Sequence, residues 1–449
     1  MSKPVAVMES SPWLTGGPPG AAVRPASPEP TLKRVPFFTL VWTASAQPAG
    51  HLRLLDDPPA DIAMDDPTAS LDPDALVGRA IERTGLDDFG TGPWRDGLQV
   101  LTESLDADAA LNDIGVMTWD QTISTLLANR LRIEETYRQH PEIEAEALPA
   151  PIWIVGIPRT GTTALSSLLA QDSDLRALRT WEAVSPCPPP ERATEHSDPR
   201  IAAAQATVDM MLQVEPALET MHEVDPRGPA ENHDLHGLTF RTHAFDGISR
   251  NPRYHDWWTA QDLTPAFEYQ RRVAKLLQWR CPPNRWHFKS PPDLFALDVI
   301  RSVYPGARII WTHRDPTKAL ASISSFEAHL WRMCSDEIDF ADVGPHLLDV
   351  WCDGTERAIQ ARQHLGDEVV LDISFSEFRD DQLGVVSRIY EWLDLELTGP
   401  TKDRMSTWLD EHPPGKHGEH RYSLEQFGLD EHRVDEAMAH YTSRFADQL

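Results

Sequence analysis

Gly156-Ile-Pro-Arg-Thr-Gly-Thr-Thr163 directly follows the apolar run Pro151-Ile-Trp-Ile-Val-Gly156 and opens a segment of helical character from Ala164 to Ala170. A short apolar run bounded by proline and glycine reads as a buried parallel strand. A glycine-rich turn between such a strand and a helix is the setting a bound anion requires. Backbone N–H groups and the positive helix end face the anion, and glycine lets the main chain come close. The GxxxxG spacing followed by two residues is that of a nucleotide phosphate loop, yet Thr162 stands where that loop carries its lysine. Basic charge comes instead from Arg159, inside the turn, with Thr160, Gly161, Thr162 and Thr163 completing the cradle. An ordinary strand-to-helix turn demands neither an arginine nor two adjacent threonines.

Further strands are expected at Arg285–Ser290, Ala307–His313 and Glu368–Ser374, with helical periodicity over Asp293–Tyr304 and Gln382–Leu393. Alternating strands and helices imply an α/β fold, a P-loop-like parallel sheet flanked by helices. On the N-terminal side, Asp72-Pro-Asp-Ala-Leu reads as a capped helix start, and Trp94–Ser104 and Trp119–His140 have helical spacing. The expected organisation is a leader over residues 1–70, then one domain over 71–449. That domain has a helical extension at 71–145 and an α/β core at 150–449, with an insertion at about 181–280 that builds a binding pocket. The leader is rich in Pro, Ala, Gly and Ser and reads as disordered or poorly packed. Met64, just before the first helix signal, is a candidate natural start.

Composition narrows the function. The 449 residues carry 41 Lys and Arg against 70 Asp and Glu, a formal net charge of −29. Such a field repels nucleic acid, sulfated polymers and anionic membranes, so any anionic ligand must be held by a few local groups in a pocket. Four cysteines without a CxxC pair fit a reducing, cytoplasmic compartment. The pairs His233/His236 and His417/His420 come without a Cys cluster or an HExxH pattern, so no metal site is expected. No run reaches the roughly eighteen apolar residues of a membrane span.

A second anion motif lies at Thr312-His-Arg-Asp-Pro316, closing a strand, with Ser322 eight residues after Arg314. Arginine offers a planar fork matched to phosphate oxygens, and a serine two helical turns on adds a hydroxyl from the same side. A third is Gly415-Lys-His-Gly-Glu-His-Arg421, whose glycines suit a closing loop that brings Lys416, Gly418 and Arg421 over a phosphate. Together these segments resemble the sulfotransferase superfamily, specifically its bacterial branch dependent on 3′-phosphoadenosine 5′-phosphosulfate (PAPS). That family's 5′-phosphosulfate loop has a Pro-[Arg/Lys]-x-Gly-Thr-Thr pattern, matched by Pro158–Thr163. The resemblance implies that Arg314 and Ser322 hold the 3′-phosphate. It covers roughly Asp72 to the C-terminus and is specific for PAPS but not for the acceptor.

Sulfuryl transfer requires an in-line acceptor oxygen and stabilisation of charge on the leaving phosphate. Arg159 is the first candidate for the catalytic cation and Lys289, in Phe288-Lys-Ser-Pro-Pro-Asp293, the second. The resemblance places a lysine such as Lys289 close to the transferred group. It also supplies a histidine two or four residues further on in relatives, where this chain has Pro291 and Asp293. The base that takes the hydroxyl proton is left among His222, Glu231 and Asp293. Gly228-Pro-Ala-Glu-Asn232 resembles the family's Pro-Glu-Glu stretch with Asn232 in place of the second acid. Trp181, Met210, Phe240, Phe245, Trp257 and Trp258 are available to line an apolar acceptor pocket. The expected activity is sulfuryl transfer from PAPS, without metal, to a hydroxyl of a small or lipid-like acceptor. The alternatives are a P-loop small-molecule kinase, which the missing lysine opposes, and a catalytically silent nucleotide-binding protein, which Asp293 and Asn232 keep open.

Overall fold

The computed structural model of the chain describes residues 71–218, 224–366, 368–413 and 422–449. Five strands, β1 (Ile152–Gly156), β2 (Leu175–Arg176), β3 (Arg285–Lys289), β4 (Arg308–His313) and β5 (Val370–Ser374), form one sheet in the order β2-β3-β1-β4-β5. Every pairing is parallel. The period of two along β1 sends Trp153 and Val155 into one hydrophobic core and Ile152 and Ile154 into another. β4 divides in the same way, Ile309 and Trp311 against Ile310. Both faces of the sheet are therefore covered, which is why these strands read as unbroken apolar runs rather than as alternating patterns.

Three helices precede the sheet: α1 (Pro73–Thr84), α2 (Arg95–Asp108) and α3 (Asp113–Gln139). Asp72 caps α1 through its Oδ1, which accepts from the Ala75 N–H at 2.8 Å. Leu76, Leu98 and Leu127, one from each helix, join the same core as Trp153 and Trp311. Downstream, α4 (Thr162–Leu169) follows β1, α5 (Thr264–Gln278) precedes β3, and α6 (Pro316–Cys334) and α7 (Phe340–Leu365) fill the stretch between β4 and β5. Among the described residues no helix is long and apolar enough to cross a membrane.

The expected strands are present, but the edge strand β2 was not expected. It pairs through two residues only, Leu175 with Arg285 and Arg176 with Trp286. Two residues carry no readable period. The helix expected over Asp293–Tyr304 begins as 3₁₀ turns at Pro291–Ala296 and becomes α-helical only from Leu297 to Val303. Residues 1–70 lie outside the described residues.

Two local constraints place the C-terminal ends of the strands. At Gly156 the backbone has φ +157°, and a Cβ there would stand 2.5 Å from Thr312 Oγ1 and 2.6 Å from the Thr312 carbonyl oxygen. β1 can end against β4 only because residue 156 has no side chain. On the other side of β1, Trp153 Nε1 donates to Asp293 Oδ2 at 2.5 Å, and Asn232 Nδ2 donates to the same oxygen at 2.7 Å. The Asn232 backbone N–H donates to the Lys289 carbonyl at 3.1 Å. This buried network ties the segment around residue 232 to the ends of β1 and β3.

Gly156→Ala is expected to cost about 1–3 kcal/mol, because the obstructing atoms include backbone that cannot turn aside. It will read as a lower urea midpoint at unchanged slope, and a midpoint equal to wild type would refute the close-contact argument. A second prediction concerns Asp293. Burial raises its pKa from 3.8 to about 6, against the opposing hydrogen bonds from Asn232 and Trp153. Between about pH 4 and 6 the folded chain thus holds a proton that the unfolded chain has released, so this group's contribution to stability falls as pH rises through that window. Urea titrations should show wild type losing about 2–3 kcal/mol relative to Asp293→Asn from about pH 4 to 7. His236, kept neutral by burial with a pKa of about 3, titrates in both chains and cancels in the comparison. Parallel curves for the two chains would overturn the assignment.

Candidate active site

The turn from Ile157 to Gly161 is built by threonine hydroxyls and two left-handed residues. Thr160 Oγ1 donates to the Ile157 carbonyl at 2.7 Å and lies 2.6 Å from Thr312 Oγ1, while the Thr312 hydroxyl reaches the Val155 carbonyl at 3.2 Å. Gly161, at φ +91°, is the N-cap of α4, and Arg159 adopts φ +70°. A non-glycine residue in that region carries strain that its surroundings must hold. Here the Arg314 guanidinium donates to the Arg159 carbonyl at 2.7 Å.

The two anion motifs expected from the sequence come together. Arg159 Nε donates to Ser322 Oγ at 3.1 Å, so the loop arginine reaches the first turns of α6 rather than standing apart from the second motif. Arg314 stacks over Phe375, its guanidinium carbon 4.4 Å from the ring centroid. Burial lowers the pKa of both arginines. Among the described residues neither is in an ion pair. Asp315, beside Arg314, is engaged as the cap of α6 through the Thr317 N–H at 2.9 Å and lies 3.4 Å from Lys318. Two cations gathered at a helix N-terminus without a carboxylate partner suit a polyanionic ligand.

Lys289 ends β3, opposite Ile154 of β1, and its side chain is 2 % exposed. Its Nζ lies 3.4 Å from Thr163 Oγ1, on the loop, and 2.7 Å from Glu231 Oε1. Glu231 Oε2 is in turn 3.3 Å from His233 Nδ1, and His233 Nε2 is 3.5 Å from Asp234 Oδ1. His233 and Asp234 also line a cleft of about 220 Å³ with Thr125 and Leu126 of α3, Val184 and Phe245. Val184 is the exposed large hydrophobic of the described residues. The chain of contacts runs from the loop, through one lysine, to an acidic and imidazole pair at the mouth of an apolar groove. A larger cleft, about 330 Å³, lies around Asp172, Arg176, Arg192 and Glu195, beside the edge strand β2.

Arg159, Thr160, Gly161, Thr162, Thr163, Arg314 and Ser322 lie around the turn, and Lys289 and Glu231 are in contact beside it. Asp293 is 2 % exposed; its Oδ2 accepts from Trp153 and Asn232, and it lines a small cavity with His233 and His236 rather than the groove. His222, Lys416, Gly418 and Arg421 fall outside the described residues. Of the aromatic candidates, Phe245 lines the groove, whereas Trp181, Phe240 and Trp258 are packed in hydrophobic clusters. His233 was missed as a site residue. Its spacing to His236 suggested only a metal pair, but His236 turns away to Gln270 Oε1 at 2.7 Å. The signal available in the sequence was its position two residues after Glu231.

Comparison with known proteins agrees with this geometry. The sulfotransferase family model matches residues 151–399, from the first strand through the fifth. The omega-hydroxy-beta-dihydromenaquinone-9 sulfotransferase Stf3 of Mycobacterium bovis is 24% identical over 293 residues, 63% of this chain and 72% of that protein. The crystal structure of sulfotransferase STF1 from Mycobacterium tuberculosis H37Rv superposes with a TM-score of 0.74 at 30% identity, covering 82% of this chain and 98% of that one. Sulfotransferase STF9 from Mycobacterium avium gives 0.76 at 29% identity, over 85% and 97% of the two chains. With the phosphate loop, the strand-end arginine and the parallel sheet all inside the matched region, the chain belongs to the sulfotransferase family.

Proposed function

We propose that this sulfotransferase uses PAPS as its donor and an uncharged, apolar molecule bearing a hydroxyl as its acceptor. The observation that carries the reading is the position of Lys289, between Thr163 of the loop and Glu231, which neighbours the groove-lining His233. The residues fit the donor: a cradle that a Cβ at residue 156 would obstruct, and Arg159 and Arg314 without carboxylate partners among the described residues. The apolar groove and the mycobacterial relative named for a hydroxylated menaquinone support the acceptor class.

PAPS supplies the sulfuryl group, the acceptor oxygen bonding to sulfur as the bond from sulfur to the 5′-phosphate oxygen breaks. Arg159, Thr162 and Thr163 hold the 5′ side, and Arg314 and Ser322 the 3′-phosphate. Lys289 meets the charge that grows on the departing phosphate oxygen, in a site that is already desolvated. Glu231, 3.3 Å from His233, takes the proton from the acceptor hydroxyl, and as Lys289 turns toward the phosphate it loosens its hold on Glu231 and raises that carboxylate's basicity. Asp293 and Asn232, whose departure from the family pattern left a silent protein conceivable, hydrogen bond to each other, and the Asn232 N–H anchors the segment next to Glu231 on the Lys289 carbonyl. With cationic side chains in these roles, the transfer itself calls for no divalent metal.

The product nucleotide, adenosine 3′,5′-bisphosphate, is expected to bind more tightly than ATP in a calorimetric titration, and equal or tighter ATP binding would count decisively against the donor assignment. Arg314→Ala should weaken the bisphosphate by about 1.5–3 kcal/mol, the scale of a charged hydrogen bond. Lys289→Ala should lower turnover about 10²–10³-fold with labelled PAPS and a panel of phenols, sterols and lipid alcohols, while nucleotide affinity stays near wild type. Arg159→Ala should damage both. Normal turnover in Lys289→Ala would remove the lysine from the mechanism.

A further inference from the structure

Behind the groove wall lies a second polar cluster that sulfuryl transfer does not use. The short helices Ala244–Ile248 and Pro252–Thr259 bring together His243, Asp246 and His255. His255 Nδ1 is 2.6 Å from Asp246 Oδ2, His243 Nε2 is 3.8 Å from the same oxygen, and one ligand atom from each residue falls within 4.8 Å of the others. The side chains of His243 and Asp246 are only 5% and 2% exposed. Among the described residues, Asp246 Oδ1 and His243 Nε2 nonetheless have no hydrogen-bond partner. Glu327 of α6, also buried, leaves its Oε2 without a partner among them as well. Trp258, Phe295 and Trp351 pack around the His243 ring at centroid distances of 5.4–6.1 Å, and the His346 ring lies 5.5 Å from that of His255.

A buried carboxylate stripped of water costs several kcal/mol unless both oxygens find partners, and a buried donor or acceptor left unpaired is similarly costly. His255, even as an imidazolium, satisfies one oxygen of Asp246. His243 Nε2 and Asp246 Oδ1 both lie in this space without a hydrogen bond among the described residues. Two imidazole nitrogens and a carboxylate oxygen converging in a dry, aromatic-walled space are the ligand set of a borderline divalent cation such as zinc, more than of magnesium or calcium, which take oxygen ligands.

We propose that His243, Asp246 and His255 form a zinc-type cation site that pins the wall of the acceptor groove. The helix Ala244–Ile248 is shared between the two features: His243 and Asp246 face the cluster, while Ala244, Phe245 and Ile248 line the groove. A cation there joins this helix to Pro252–Thr259 and fixes Phe245 in place. Its role is structural: none of its three ligands contacts the phosphate loop or Lys289 among the described residues, and the metal readout does not depend on the proposed donor chemistry.

The test uses the full chain, expressed without a polyhistidine tag in zinc-supplemented medium and desalted. Elemental analysis is expected to find about one zinc per chain in wild type and in the exposed-histidine control His432→Ala, and background in Asp246→Asn and His255→Gln. Dialysis of wild type against a chelator should lower its melting temperature, with recovery on adding zinc but not magnesium. Cobalt(II) added to that same apo wild type should give visible d–d absorption bands, a readout that does not depend on any variant folding. Wild type without zinc, and with no thermal or spectral response to zinc or cobalt, would overturn the proposal and leave His255 and Asp246 as a plain ion pair. Zinc retained equally by all three variants would overturn it too.

Discussion

Where β1 ends, the main chain passes so close to Thr312 that only glycine fits, and that contact organises the site. It brings the turn after Gly156 against the end of β4, where Thr160 and Thr312 share a hydroxyl contact at 2.6 Å. Two residues beyond Thr312, Arg314 reaches back to the carbonyl of Arg159 and supports its left-handed backbone. On the opposite side of β1, the parallel register puts Lys289 across from Ile154. Three cationic side chains thus gather near one helix N-terminus because three neighbouring strands end within a few residues of one another, at the edge where open parallel sheets bind ligands.

The charge of the whole chain and the charge of the site have opposite signs. A net charge of −29 makes a repulsive field for anions at long range. Within the site, screening by water is replaced by a partly dry environment, and a contact at hydrogen-bond distance outweighs distant surface charge. Arg159, Arg314 and Lys289 are each held by the fold rather than by surface ion pairs. Among the described residues the carboxylate in contact with them is Glu231, which also lies 3.3 Å from His233. The proposed binding of an anionic donor by an acidic protein rests on this local excess, and the proposed apolar acceptor on the groove lined by α3 and Phe245.

Asp293 shows how residue type and role separate. On sequence it stood where relatives carry a histidine and was weighed as a base. In the fold it is the acceptor for two buried donors, Trp153 and Asn232, from two other segments. Its position along the chain, four residues after Lys289, places it past the strand end, and the 3₁₀ turns at Pro291–Ala296 direct it inward beneath the site. The substitution of Asn232 for an acid is matched to that inward turn: an amide donates to Asp293, where a second carboxylate would repel it.

The sequence by itself determined the parallel α/β fold, the helical N-terminal segment and the residues of the phosphate loop. These are local properties: a strand buried on both faces must be apolar throughout, a cap must sit next to its helix, and an anion turn needs its glycines and hydroxyls consecutively. It also named Lys289 and Glu231, though without joining them. Only the tertiary structure decided that Arg159 reaches Ser322, that His233 rather than His236 stands beside Glu231, that β2 closes the sheet edge with two residues, and that His243, Asp246 and His255 share one buried pocket. Each of these is a contact between segments separated along the chain or a choice of direction for one side chain. Such choices follow from which strand ends lie side by side and how the helices pack over them, and no period or spacing within a single segment encodes that.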